Sequence, residues 1–268
     1  MIKQISIIGC GWLGLPLATL LVDNGYSIKG STTSSDKLEQ IRKKAVSPFL
    51  VELNEMEIVG DIDGFLEGSD LVIINIPPGL RKSPNKNHVT EIDLLARAIE
   101  KNAIKHVIYI SSTSVFKDEE NIPLINEVSV PNNYEGARQL IEIEELLSNN
   151  YSFLTTIIRF GGLIDDNRHP GNFLSGRINI ANPKAPINLI HKEDCIAIIS
   201  RVIDKSLFNV KLNATYPSHP TRQSYYTSYC KSKALPLPTF ETTGTNKGKI
   251  IDSSKLMQLL SYKFKHAV

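Results

Sequence analysis

Short β-branched runs alternate along this chain with longer segments in which apolar residues recur every three or four positions. Ile5 to Ile8, Tyr26 to Lys29, Phe49 to Leu53, Leu71 to Ile76, His106 to Ile110 and Leu154 to Phe160 read as strands. Between them, Leu13 to Asn24, Lys37 to Lys44, His88 to Asn102 and Glu135 to Asn149 read as helices. Such alternation predicts βαβ units, hence an α/β fold of the Rossmann type with a doubly wound parallel sheet and helices on both faces. After Phe160 the rhythm changes. Asp165 to Asn188 carries Gly171, Gly176, three prolines and several basic residues without a helical or strand period, so a loop-rich segment over the carboxyl end of the sheet is expected there. Helices at Lys192 to Asp204, Thr221 to Lys233 and Ser253 to Leu260, with a strand at Lys211 to Ala214, complete the reading.

Composition narrows the class. With 268 residues, 41% of them hydrophobic, the chain can bury a large core without disulfides or metals. Thirty basic and 28 acidic residues nearly cancel and form no long like-charged run, which disfavours nucleic acid or a membrane as partner. Cys10, Cys195 and Cys230 lack a CxxC spacing, so neither a disulfide framework nor a zinc site is expected, and a reducing cytoplasm fits. The apolar stretch Ile5 to Val22 contains a glycine-rich turn and Pro16, and reads as part of the fold rather than as a signal peptide.

The first βα turn carries the clearest chemistry. Gly9-Cys10-Gly11-Trp12-Leu13-Gly14 follows a strand and opens a helix, the placement in which a GxGxxG pattern holds a dinucleotide pyrophosphate. Gly9 permits the tight turn, Gly11 admits the pyrophosphate, Gly14 lets helix and strand pack closely, and the helix start supplies positive potential. Trp12 and Leu13 lie within the same cradle, and Cys10 reads as a small packing residue. NAD enzymes place an acid at the end of the second strand to bind the ribose. Here the chain reads Ser31-Thr32-Thr33-Ser34-Ser35 with Lys37 beyond, which suits the 2′-phosphate of NADP better than it suits NAD. A solvated turn that caps the next helix fits the same residues. Asn75, Pro77 and Pro78 end a further strand, where a rigid wall beside the nucleotide is expected.

Downstream, Ser111-Ser112-Thr113-Ser114-Val115-Phe116 follows a strand, and Tyr134-Glu135-Gly136-Ala137-Arg138 opens a helix. With the glycine turn, this order resembles the short-chain dehydrogenase/reductase superfamily, in its extended and atypical, NAD-dependent epimerase/dehydratase-like branch. The resemblance spans nearly the whole chain. It implies that Ser112 binds the substrate oxygen and that Tyr134 is the general acid/base. Arg138 stands where the family has a lysine that orients the nicotinamide ribose, and Gly161, Gly162 and Leu163 correspond to the loop beside the nicotinamide. It also implies a homodimer. The expected division is a nucleotide-binding domain over residues 1–160 and a small substrate-binding portion over residues 161–268 that completes the same globular unit.

Arg168, His169 and Arg177 suit an anionic small-molecule substrate, because guanidinium forks match phosphate and carboxylate geometry. His191 and Asp194 have no third ligand nearby, and Asp194 is expected to cap a helix. The resulting expectation is an NAD(P)-dependent oxidoreductase or epimerase acting at a hydroxyl or carbonyl carbon, with NADP preferred over NAD. Two rivals stand beside it. One is a dinucleotide-binding sensor or scaffold that lost its chemistry with the family lysine. The other is a β-hydroxyacid dehydrogenase, which the glycine spacing and Pro16 also fit and for which Lys192 would be the catalytic lysine.

Overall fold

In a computed structural model of the chain, which describes residues 2–79, 83–132 and 137–268, the polypeptide divides into two compact units. The first comprises Met1–Ser111, Glu135–Ile158 and Ile199–Lys211; the second comprises Ser112–Tyr134, Arg159–Ile198 and Leu212–Val268. In chain order the strands are β1 (Gln4–Ile8), β2 (Ser27–Thr32), β3 (Ser47–Leu53), β4 (Ile58–Gly60), β5 (Leu71–Ile74), β6 (His106–Ser112), β7 (Leu124–Ile125), β8 (Leu154–Phe160), β9 (Gly162–Ile164), β10 (Leu189–His191), β11 (Lys211–Ala214) and β12 (Ile250–Ile251). The helices are α1 (Gly14–Asp23), α2 (Leu38–Arg42), α3 (Ile62–Leu66), α4 (His88–Lys101), α5 (Arg138–Ser148), α6 (Pro170–Leu174), α7 (Lys192–Asp204), α8 (Arg222–Ser232) and α9 (Ser254–Leu260). No described helix is long and apolar enough to cross a membrane.

The main sheet has the order β11-β8-β6-β5-β1-β2-β3-β4. β1 pairs in parallel with β2 and β5, β2 with β3, and β5 with β6. The burial of β1 from Ile5 to Ile8 and the continuous apolar run of β5 follow from that position, since a strand covered on both faces has no side to present to water. The order in which the chain adds strands reverses between β1 and β5, with β2 and β3 on one side and β6 and β8 on the other. In an open α/β sheet this is where a ligand crevice forms at the carboxyl ends of the strands. Helix α4 shows how the amphipathic pattern is used: Ile92, Leu95, Ala96 and Ile99 are buried, and Asn87 caps its start by accepting from the Thr90 N–H.

Besides the added elements α3, β7, β9, β10 and β12, three further differences separate the structure from the sequence expectation. β3 turns back into β4, an antiparallel edge strand of three residues, so the strand ending at Ile74 is the fifth and not the fourth. The segment from Asp165 to Asn188 holds one regular element, α6, with Pro170 in its first turn and the His169 ring accepting from the Gly171 N–H as its cap. Asp194 does not cap a helix. It is fully buried in the second unit and accepts from Tyr262 Oη (2.5 Å), Lys265 N (2.9 Å) and His266 N (3.1 Å), which pins the C-terminal segment. Burial and the carboxylate together push the Tyr262 phenol well above its ordinary pKa, so it remains a donor. Asp194→Ala leaves three donors without their acceptor and is expected to cost about 2–4 kcal/mol of stability. Urea denaturation checks this, and an unchanged midpoint would refute the anchoring role.

Candidate functional site

The glycine turn at the end of β1 is built by its neighbours in the first unit. Gly9 has φ +96°, and a Cβ there would lie 2.5 Å from the Asn75 carbonyl oxygen. Its carbonyl accepts from Gly11 N (2.9 Å) and from the Asn75 carboxamide (3.0 Å). Its N–H donates to Ser31 Oγ (3.1 Å), and the Cys10 N–H donates to the Ser31 carbonyl (2.8 Å). A Cβ on Gly14 would meet the Gly9 carbonyl oxygen at 2.2 Å, so this glycine is what brings α1 against β1. Gly30 on β2 leaves room for the Cys10 sulfur. That thiol is buried and its pKa is pushed up to about 12 by desolvation, which fits a packing residue and leaves no thiolate for chemistry.

Gly11 differs from its two partners. A Cβ there would meet no atom within 4 Å, so neither packing nor backbone angle asks for glycine at that position. The open space lies at the start of α1, which has no side-chain cap and no acid in its first turn. An acid there would compete with an incoming anion for the positive end of the helix. A pyrophosphate is the group that such a cradle fits: it needs close backbone approach, unneutralised amide dipoles and no Cβ in the way.

The other nucleotide-side residues fall around this turn. Trp12 is half-buried and Leu13 is buried. Ser31 and Thr32 are buried, Ser31 engaged with the turn and Thr32 Oγ1 accepting from Ser34 N (3.2 Å). Thr33 and Lys37 are exposed, and no side-chain cap bond starts the helical turn at Ser35–Lys37. No carboxylate stands at the end of β2. Asn75 braces Gly9, and the Pro77-Pro78 pair continues the backbone beyond β5, Pro77 exposed and Pro78 half-buried.

Of the residues assigned to chemistry, Tyr134 lies outside the described residues. Ser112, in the second unit, is half-buried and its Oγ accepts from Ser114 N (3.1 Å), closing the turn Thr113–Val115. Arg138, in the first unit, opens α5 and forms an ion pair with Glu142 one turn along (3.2 Å), with 47% of its side chain exposed. Sequence reasoning missed that the Ser111 hydroxyl donates to the buried Glu144 carboxylate (2.6 Å), a bond that ties the end of β6 to α5.

In the second unit, the Gly161 N–H donates to Ala214 O and the Gly162 N–H to Asn188 O. A Cβ on Gly161 would lie 2.5 Å from the Asn188 carbonyl oxygen, and one on Gly162 would lie 2.6 Å from Leu189 Cδ2. Both glycines and the half-buried Leu163 thus serve the pairing of β9 with β10. Arg168 and Arg177 are exposed. His169 is buried, stacks on Tyr229 (centroids 3.6 Å apart) and bonds Tyr225 Oη through Nε2 (2.8 Å). Desolvation and Lys233 lower its pKa to about 4, so it is uncharged at neutral pH and offers no positive charge to an anion. His191 stacks on His266, and Lys192 forms an ion pair with the buried Asp165 (2.9 Å). Among the described residues no group of three His, Cys, Asp or Glu side chains is placed to hold a metal.

A family model described as NAD(P)H-binding matches residues 9–186. Protein YeeZ of Escherichia coli (strain K12) is 30% identical over 268 residues, spanning 98% of this chain and 96% of the relative. A short-chain dehydrogenase/reductase superfamily protein from Agrobacterium tumefaciens, solved with bound NAD, superposes with a TM-score of 0.79 at 14% identity, covering 99% of this chain and 93% of that one. UDP-glucuronic acid 4-epimerase from Bacillus cereus, solved in complex with NAD, gives a TM-score of 0.79 at 15% identity over 99% and 94% of the two chains. At such identities the structural likeness concerns the fold, which is the mostly parallel α/β fold of these enzymes. With its family model matched from the glycine turn onward, the chain belongs to the NAD(P)H-binding family.

Proposed function

We propose that this protein is an NADP-dependent oxidoreductase or epimerase of the short-chain dehydrogenase type, acting at a hydroxyl or carbonyl carbon of a small polar substrate. The observation that carries the reading is the asymmetry of the glycine turn: Gly9 and Gly14 are required by the fold, whereas nothing in the protein packs against Gly11, at the helix start where a pyrophosphate would approach. Bound NAD(P)H supplies or accepts the hydride. Ser112 hydrogen-bonds the substrate oxygen, and Tyr134 gives or takes the proton at that oxygen. Arg138 contributes the positive charge that draws the phenol pKa down toward the working range. Arg168 and Arg177 attract the substrate's negative charge, while the neutral His169 serves by holding α6 in place. Nucleotide sugars belong among the substrates to test, since an epimerase of this fold is named for one.

A specific observation favours a second reading, a dinucleotide-binding sensor or scaffold. Arg138 spends its charge on Glu142 at the surface, whereas a catalytic cation would have to lend it to Tyr134.

The preference for NADP follows from the absence of an acid at the end of β2 and from the exposed Thr33 and Lys37. Calorimetry is expected to show tighter binding of NADPH than of NADH. Thr32→Asp should reverse the order by about tenfold or more, because an aspartate can still accept from Ser34 N while repelling the 2′-phosphate. Equal affinities in the wild type, or tighter NADH binding, would refute the preference.

A further inference from the structure

The second unit contains a cleft of about 190 Å³ whose lining includes Asn188 and Leu189, the residues against which Gly161 and Gly162 pack. Pro186, Ile187 and Tyr226 line it with apolar surface. Asn182, Arg222 and Lys247 line it with polar groups, together with Asp118. We infer that this cleft seats the oxyanion, phosphoryl or carboxylate, of a small substrate, so that the substrate of the proposed reaction is an anionic sugar or hydroxy acid. The inference rests on the proposed function for its chemistry and on the cleft alone for its ligand class.

Several bonds hold the cleft in shape. Asn182 takes a left-handed backbone conformation (φ +57°), and its Oδ1 accepts from Lys247 N (2.9 Å). The Lys184 N–H donates to Asn246 Oδ1 (2.8 Å). Glu119 and Gly248 exchange a pair of backbone bonds of 2.9 and 3.0 Å. Gly248 lies so close to Pro186 that a Cβ would come within 2.8 Å of its ring. The Arg222 N–H donates to Ala185 O (2.8 Å), which fixes the start of α8 against the same segment. Four stretches of chain are thereby locked around one space, and a preformed site loses little entropy when it is filled.

The charges select the ligand. Of the five N–H donors of Arg222, one hydrogen bond is formed among the described residues, to Ala181 O at 3.3 Å. A planar fork with donors to spare is matched to an oxyanion. Lys247 adds a second cation, shared at 3.4 Å with the exposed Glu120. The acid in the lining, Asp118, is paired with Lys249 at 2.8 Å, so the cations around the cleft, Arg222, Lys247 and Lys249, outnumber the acids Asp118 and Glu120. Size narrows the class further. The cleft, of about 190 Å³, has room for an oxyanion and a few carbons.

The test uses the whole protein and three probes: ribose 5-phosphate, gluconate and, as the neutral counterpart, ribose. Calorimetry gives affinities, and ¹H–¹⁵N spectra follow the Gly248 amide and the Arg222 Nε–H. At least one of the two anions is expected to bind at millimolar concentration or below and to shift both signals, while ribose does neither. Which anion binds identifies the oxyanion. Arg222→Gln and Lys247→Gln should each weaken binding about tenfold and leave NADPH affinity unchanged. Because Lys247 is exposed, Lys247→Gln keeps the test decisive if Arg222→Gln fails to fold. Binding of NADPH with no anion response at Gly248, or undiminished anion affinity in the folded variants, would overturn the seat and spare the proposed function. Anion binding at the cleft in a protein that binds no dinucleotide would instead overturn the proposed function.

Discussion

Gly11→Val is expected to leave the protein folded and to abolish its binding of NAD(P)H. The space around an added Cβ is empty to 4 Å and the residue is exposed, so a side chain there starts into open space. It projects instead where a pyrophosphate must approach the backbone at the start of α1. Loss of that approach removes several charge-assisted hydrogen bonds at once, for which a decrease in affinity of about 100-fold or more, roughly 2.7 kcal/mol, is a modest expectation. Gly14→Ala supplies the contrast. Its Cβ would lie 2.2 Å from the Gly9 carbonyl oxygen, so α1 must move off β1, and the variant should show a lower melting temperature before any question of ligand arises. Calorimetry and thermal denaturation on the two variants separate the roles. A Gly11→Val protein that binds as the wild type does would show that the dinucleotide does not use this turn.

Tyr134→Phe is expected to lower turnover by about 100-fold or more, the usual contribution of a positioned acid/base, with dinucleotide affinity unchanged. The substitution deletes one transferable proton and little else. Arg138→Lys is the companion experiment. A compact ammonium is less suited than a guanidinium to a fixed surface pair with Glu142, and under the proposed mechanism it is better suited to lower the pKa of the Tyr134 phenol, so it should raise the rate or move the pH optimum to lower pH. Single-turnover rates for the three proteins, with NADPH and a panel of keto and hydroxy sugars including phosphorylated and carboxylated ones, provide the measurement. Full activity in Tyr134→Phe would remove Tyr134 from the mechanism. Dinucleotide binding without turnover in every variant, Arg138→Lys included, would establish the sensor reading in place of the enzyme.

Particular residues show why some of the site was legible in the sequence and some was not. The Gly9 to Gly14 turn was readable because its mechanism is local: a strand, a tight turn and a helix start are contiguous, and each glycine acts on its own backbone. Ser31 was readable as a neighbour of the nucleotide only by its position after β2. In the structure its hydroxyl and carbonyl hold Gly9 and Cys10, which depends on β1 and β2 lying side by side. His169 looked like a cation for an anionic substrate. Desolvation and the charge of Lys233 keep it neutral, and neither can be seen from the residues beside it. The cleft at Arg222 and Lys247 draws on segments from Asp118 to Gly248, and no local pattern marks it.

The sequence by itself determined the elements whose pattern repeats within one segment. These are the isoleucine-rich β1 and the apolar run of β5, the amphipathic faces of α1 and α4, and the phosphate turn between β1 and α1. Their cause is short-range, because side-chain period and backbone sterics act over a few residues. Only the tertiary structure decided which polar groups are already engaged. Asp194 became the anchor of the C-terminal segment, Glu144 the partner of Ser111, Lys192 the partner of Asp165, and Arg138 a surface pair with Glu142. Gly11, with empty space around it, differs from Gly9 and Gly14 by what packs against each, and from Gly9 also by its backbone angle. The physical reason is that burial, desolvation and the choice of hydrogen-bond partner depend on residues brought together by the fold from distant parts of the chain.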